Sequence, residues 1–106
     1  QDVILDMRPD SATYMRTQDI GLSEDDGCAL WLPPGFAHGY CVLSEETDML
    51  YKCTAFYDPA DEGGVRWDDP SLAIPWKVHS PILSARDTTW PDLAGKPKTE
   101  DRKEGA

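Results

Sequence analysis

The sequence has 106 residues and a mass of 11.8 kDa, a length typical of one domain rather than of several. Its 20 acidic and 10 basic side chains give a formal net charge of −10. That charge argues against nucleic acids and anionic membranes as partners, because both require clustered lysine and arginine. A hydrophobic fraction of 40% with four tryptophans is enough for a core, which argues against global disorder.

The first third of the chain predicts short strands separated by turns. Apolar residues at every second position predict a strand over residues 3–7. A weaker strand is predicted within residues 13–22, followed by an acidic turn at 23–27 and a short apolar strand over 28–32. Two prolines and a glycine at 33–35 end that strand, since proline lacks a backbone donor and glycine tolerates positive φ.

Residues 36–43 and 48–57 predict an antiparallel hairpin. Opposite residues of a hairpin share a face of the sheet, and in this register His38 lies opposite Cys53. Cys41 points to the other face, which argues against a disulfide between Cys41 and Cys53. The side chains predicted to share one face are Phe36, His38, Tyr40, Tyr51, Cys53 and Tyr57.

The remainder is rich in turns, with short strands predicted over 65–67 and 72–76 and a polar, mobile tail over 95–106. Short strands with glycine and proline turns, and almost no helical periodicity, predict an all-β barrel or jelly roll that occupies residues 1–94. We find no stretch of about 18 apolar residues and no signal-peptide pattern. Three cysteines without a C-x-x-C pair favour free thiols in a reducing cytoplasm.

His38 is the first candidate for chemistry. Small neighbours, Ala37 and Gly39, leave room beside its imidazole. A lone histidine on a strand is more often structural than functional, and the tyrosines on its predicted face bring the two interpretations nearer to balance. The other histidine, His79, is distant in sequence and no H-x-H or H-x-x-x-H motif occurs, so a metal site is not predicted.

Other candidates have two interpretations from pattern alone. Tyr51 and Tyr57 either fill a β core or place a phenol as a general acid. Asp87 and Glu62 either belong to turns or orient a catalytic group, and Asp87 could stabilise a cationic histidine within hydrogen-bond reach.

Several strings together resemble the dTDP-4-dehydrorhamnose 3,5-epimerase family. They occur in the family's order and with similar spacing over residues 2–93, and the string at 30–40 is the most specific. The strings are DVILDMR at 2–8 with Ser11 and Thr13, LWLPPGFAHGY at 30–40, LS at 43–44, LYKCT at 50–54, YDP at 57–59 with Glu62, WDDP at 67–70, IPW at 74–76 and LSARD at 83–87.

The resemblance implies a cupin-type jelly roll, here without the family's N-terminal strands, that works without a metal or cofactor as a homodimer. It implies epimerisation at C3 and C5 of a dTDP-4-keto-6-deoxyhexose, in which a histidine base removes a proton and a tyrosine returns one on the opposite face. Tyr51 then corresponds to the acid and Asp87 to the partner of that histidine. His38 and Glu62 line the sugar site, Tyr57 stacks near the base or sugar, and Arg86 replaces the usual lysine.

The family's histidine base lies in an Arg-Gly-Leu-His motif upstream of the strand that residues 2–7 resemble, and this sequence begins at that strand. Three hypotheses follow: an epimerase part that is inactive or impaired alone, a binding module for sugar nucleotides, or an oligomerising β protein without a ligand. In the first two, the cations available to a dTDP group are Lys52, Arg66 and Arg86.

Overall fold

The computed structural model describes residues 1–56, 58, 60 and 63–93. Three strands, β1 (Asp2–Asp6), β2 (Thr17–Ile20) and β3 (Phe36–Tyr40), form one antiparallel sheet in the order β2-β1-β3. The central strand β1 therefore pairs with both others. The chain around Gln1 extends the pairing with β3, since the Cys41 N–H donates to the Gln1 carbonyl over 2.8 Å.

The alternation in β1 explains why it occupies the centre of the sheet. Val3 and Leu5 are 3% and 5% exposed. Both belong to one face of the strand, because successive side chains point to opposite faces. Leu5 packs with Leu72 and Leu93 from the C-terminal part of the chain. Burial of these side chains stabilises the fold by about 25 cal/mol for each Å² of apolar surface removed from water.

The last residue of β1 organises the turn that follows the strand. The buried carboxylate of Asp6 accepts hydrogen bonds from the Arg8 backbone N–H at 2.9 Å and from the Arg8 guanidinium at 3.0 Å. The hydroxyls of Ser11 and Thr13 donate to the same carboxylate. The Arg8 guanidinium holds the pKa of Asp6 far below its usual range, and these hydroxyls act in the same direction against the effect of burial.

A second buried carboxylate, that of Asp69, holds Leu93 of the C-terminal part of the chain in the core. Asp69 accepts from the Leu93 N–H over 2.6 Å and from the backbone and hydroxyl of Ser71. Burial alone would raise the pKa of Asp69, but these hydrogen bonds outweigh it and lower the pKa. The contact fixes Leu93 beside Leu72, which follows the Asp69 turn.

The predicted strand at residues 3–7 is confirmed as β1, and the weaker one within 13–22 as the shorter β2. The acidic turn is confirmed as a 3₁₀ turn, Glu24–Asp26, which ends at Gly27 with φ of 61°. No strand forms at 28–32, 65–67 or 72–76, so those three predictions were wrong.

The predicted hairpin was also wrong. Of its two arms, the first contains β3, but the described residues of the second, 48–56, form no strand. Strand β3 pairs with β1 instead, so His38 lies opposite Ile4 rather than Cys53. The physical reason is burial: β1 brings Val3 and Leu5 into the core, whereas Leu50 in the second arm stays 88% exposed.

The all-β class is confirmed, because the described residues form an antiparallel sheet and contain no α-helix. This architecture is consistent with part of a cupin-type jelly roll. No helix within the described ranges has the length and apolar character needed to cross a membrane. The predicted tail over 95–106 lies outside the described residues.

We expect Asp6→Asn to lower the free energy of unfolding at pH 7 by about 2–3 kcal/mol, because a charged hydrogen-bond acceptor is lost from a buried site. Because the pKa of Asp6 is lower in the folded than in the unfolded state, its ionised carboxylate stabilises the fold above the ordinary aspartate pKa of about 4. This contribution is lost as the pH falls below that value. The variant should therefore also lose less stability than the wild type between about pH 4 and pH 2. Urea unfolding across this range measures both effects.

The matched control is Asp10→Asn, which changes an exposed carboxylate in the same turn and should leave both quantities unchanged. An Asp6→Asn protein as stable as the wild type at pH 7 would contradict the structural role of this carboxylate.

Candidate functional site

An open cavity of about 780 Å³ lies beside β3. It lies between β3 and the chain at 63–67 and 80–87, and its lining includes four of the seven residues predicted from sequence: His38, Tyr51, Arg86 and Asp87. Lys52 is exposed and does not contribute to the lining. Tyr57 and Glu62 lie outside the described residues. The structure thus brings together candidates from three separate parts of the sequence.

His38 is held by the pairing of β3 with β1. Because it lies opposite Ile4, it is diagonal to Asp2 on the same face of the sheet. The Nδ1 atom of His38 lies 3.5 Å from Oδ1 of Asp2, and the two side chains are 14% and 6% exposed. Burial raises the pKa of Asp2, and the proximity of His38 opposes this effect. A carboxylate therefore stands against the imidazole inside the fold.

Tyr51 contributes to the lining from the segment that forms no strand. Its side chain is 66% exposed, so within the described structure its phenol is accessible to a ligand in the cavity. A tyrosine hydroxyl in this position can donate a hydrogen bond or a proton to a bound molecule.

Arg86 and Asp87 begin a 3₁₀ turn, Arg86–Thr88, at the opposite side of the cavity. The Asp87 N–H donates to the carbonyl and to the hydroxyl of Ser84, at 3.1 and 3.2 Å. These bonds fix the backbone at Asp87 while its side chain stays exposed. The turn therefore presents a cation and an anion next to each other.

A second arginine in the lining, Arg66, is part of an ion-pair cluster. Its Nε lies 2.6 Å from Asp68 and its guanidinium 3.2 Å from Asp92. The two carboxylates raise the pKa of Arg66, with Asp68 contributing most, so the arginine is held as a cation beside two anions. This arrangement offsets much of its charge toward a ligand.

Tryptophan side chains contribute to the lining of the cavity: Trp67, Trp76 and Trp90. The indole N–H of Trp76 donates to the Trp67 carbonyl over 2.7 Å, and its ring lies 3.6 Å from the position that a Cβ would occupy at Gly39. The ring of Trp90 lies much closer to the corresponding position at Gly64. The approach at Gly64 is one that a side chain would prevent, whereas the separation at Gly39 is an ordinary van der Waals contact.

The described residues contain no group of three or more His, Cys, Asp or Glu side chains that could hold a metal ion. Cys28, Cys41 and Cys53 are free thiols, as the sequence predicted. The cavity thus presents one histidine, two tyrosines, two arginines, one cysteine and the carboxylate of Asp87 as its candidate chemical groups, with Asp2 behind His38.

The model of the dTDP-4-dehydrorhamnose 3,5-epimerase family matches residues 1–95. The chain belongs to this family. It is 43% identical to the dTDP-4-dehydrorhamnose 3,5-epimerase of Shigella flexneri over 81% of this chain and 48% of that protein. It is 38% identical to the enzyme of the same name from Methanothermobacter thermautotrophicus, over 91% of this chain and 54% of that protein.

A dTDP-4-dehydrorhamnose 3-epimerase from Streptomyces niveus is 41% identical over 81% of this chain and 42% of its own length. The chain therefore spans about half the length of the curated relatives it matches. Relatives of similar identity are named as 3,5-epimerases and as a 3-epimerase. Sequence identity alone therefore does not show whether one or two carbons would be epimerised.

The sequence did not predict the contact of Asp2 with His38. In the sequence, Asp2 was only one residue of a string that resembles the family. Its position beside His38 depends on the register between β1 and β3, which the sequence did not predict. The one available signal was a carboxylate at the edge of an apolar strand, where a buried charge needs a partner.

Proposed function

We propose that the chain is part of a nucleotide-sugar epimerase that acts on a dTDP-4-keto-6-deoxyhexose in the cytoplasm, without a metal or other cofactor. The observation that carries this proposal is the cavity that brings His38, Tyr51, Arg86 and Asp87 together in a chain of this family. The three free thiols accord with a reducing compartment.

The chemistry that fits these groups is proton exchange next to a ketone. A base removes the proton from C3 or C5, the electrons move onto the C4 oxygen as an enolate, and an acid delivers a proton to the opposite face of that carbon. Tyr51 is the proposed acid, because its phenol is accessible in the cavity. Asp87 is the proposed partner of the base, and His38 and Arg86 are proposed to bind the substrate.

Tyr57, Glu62 and Lys52 complete the proposed substrate contacts. Tyr57 is assigned to stacking and Glu62 to the sugar by the family motif, and both lie outside the described residues. Lys52, although exposed and outside the lining, carries a charge suited to a phosphate group. These assignments rest on the motif alone.

The 106 residues are proposed to catalyse this reaction poorly or not at all when isolated. They contain no Arg-Gly-Leu-His string, and the histidine in the lining is already placed against Asp2. A general base typically contributes about 10²–10⁴-fold to a rate, which sets the size of the expected deficit.

We expect the isolated chain to incorporate deuterium at C3 and C5 of dTDP-4-keto-6-deoxyglucose at least about 10²-fold more slowly than the Shigella enzyme in D₂O. Proton NMR of the sugar follows the exchange, with buffer alone as the background control. Exchange at the rate of the longer relative would show that these residues hold a complete catalytic set, and the proposed impairment would be wrong.

A binding module for dTDP sugars is the second candidate, and it is favoured by the arginine at the cavity. We expect Arg86→Met to weaken binding of dTDP by about 10- to 100-fold, since a charge-assisted hydrogen bond to phosphate is worth about 1.5–3 kcal/mol. Arg16→Met, which removes an exposed arginine outside the lining, is the matched control. Calorimetric titration that finds no heat of binding for wild-type protein would exclude both the binding module and the epimerase part.

Self-association is also proposed, in accord with the homodimer that the family resemblance implies. The described structure leaves one edge of β3 without a partner strand, and large apolar side chains such as Leu43, Leu50, Phe56 and Ile82 are exposed. We expect sedimentation velocity to show a dimer or larger species at micromolar concentration. A stable monomer would contradict this expectation.

A further inference from the structure

The pair formed by Asp2 and His38 contains two buried polar atoms that face each other. Oδ1 of Asp2 and Nδ1 of His38 are 3.5 Å apart, and neither has a hydrogen-bond partner elsewhere in the described chain. A buried polar atom without a partner costs about 1–3 kcal/mol. Both atoms are relieved of this cost at once if a proton lies between them.

The location of that proton follows from the two groups. A carboxylate accepts hydrogen bonds and has none to donate, whereas a neutral imidazole carries one N–H on either nitrogen. The alternative is a protonated Asp2 that donates to Nδ1. An ordinary imidazole is a stronger base than an ordinary aspartate by about two and a half pH units, which favours the proton on the ring even though burial raises the pKa of Asp2.

We infer that Asp2 is a positioning residue that fixes a proton on Nδ1 of His38 and leaves Nε2 as the nitrogen available to a ligand. Nδ1 is the buried ring nitrogen, so the exposed 14% of the side chain belongs to other atoms. The inference about the proton stands on this geometry, and its meaning for a sugar ligand rests on the proposed function.

The position of the proton determines which ring nitrogen of His38 accepts a hydrogen bond from a ligand. With its proton on Nδ1, a neutral imidazole presents Nε2 as an acceptor, so it suits a hydroxyl group of a ligand and not a ketone oxygen. In many sites, a carboxylate that is hydrogen-bonded to one ring nitrogen of a functional histidine fixes its tautomer in this way. The ketone is left to the donors of the lining, such as Tyr51 and the arginines.

The test is the ¹⁵N spectrum of the two histidine rings in the uniformly labelled 106-residue protein at pH 9, where an ordinary imidazole is neutral. We expect a protonated, pyrrole-type Nδ1 signal for His38. His79, which has no comparable carboxylate contact among the described residues, is expected to show the common Nε2–H form. A His38→Gln sample assigns the signals. An unprotonated Nδ1 in wild-type His38 would overturn the inference.

Asp2→Ala should convert His38 to the Nε2–H form and leave His79 unchanged. Asp19→Ala, which removes a carboxylate from the neighbouring strand β2, is the matched control and should change neither ring. Retention of the Nδ1 proton in Asp2→Ala would show that Asp2 does not hold it. The wild-type spectrum decides the proton's location even if Asp2→Ala fails to fold.

Addition of dTDP-glucose separates this inference from the proposed function. A change in the Nε2 signal of His38, with Nδ1 still protonated, supports both. A spectrum unaffected by dTDP-glucose counts against the proposed function, whereas the wild-type Nδ1 signal continues to establish the Asp2–His38 pair.

Discussion

The ion pair between Asp6 and Arg8 joins the parts of the sheet on which the site depends. The buried carboxylate of Asp6 ends β1, and its hydrogen bonds hold the Arg8 side chain across the start of β3. A Cβ at Gly35 would lie 2.6 Å from Cγ of Arg8, and the guanidinium lies 4.7 Å from the centre of the Phe36 ring. Exposed ion pairs contribute little to stability, but here one partner is 3% exposed and must be satisfied. The entry of the chain into the strand that carries His38 is fixed by this contact.

The alternation of β1 produces both the core and the candidate site. Val3 and Leu5 are buried on one face, where Leu5 packs with Leu72 and Leu93, and the other face carries Asp2, Ile4 and Asp6. A strand that buries both faces normally reads as a continuous apolar run. Here two of the three residues on the second face are acidic, so that face is stable only where each carboxylate finds a partner. Arg8 and its neighbouring hydroxyls satisfy one of them, and the ring of His38 faces the other.

The sequence predicted the strands of the sheet but not their pairing, and it also predicted short strands at 28–32, 65–67 and 72–76 that do not form. The patterns at residues 3–7 and 36–43 both indicated strands that form, at least in part, because these signals depend on neighbouring residues. The partner of β3 was wrong because alternation reveals that a segment can form a strand and not which strand it joins. Segment 48–56 has a strand-like pattern, yet β1 provides the pairing and the buried apolar face. The family match came from strings of residues, and the placement of Asp2 beside His38 required the register.

The charges around the cavity affect the diphosphate and the sugar of the candidate ligand differently. A nucleoside diphosphate must approach a chain of net charge −10, and one of the two arginines in the lining, Arg66, is paired with Asp68 and Asp92. Its field toward a phosphate is therefore weakened. A sugar carries no net charge and is recognised by hydrogen bonds and ring contacts. His38, Tyr51 and the indole rings provide such groups, and a neutral sugar is not repelled by the negative charge of the chain. The described wall of the cavity therefore suits the sugar better than the diphosphate.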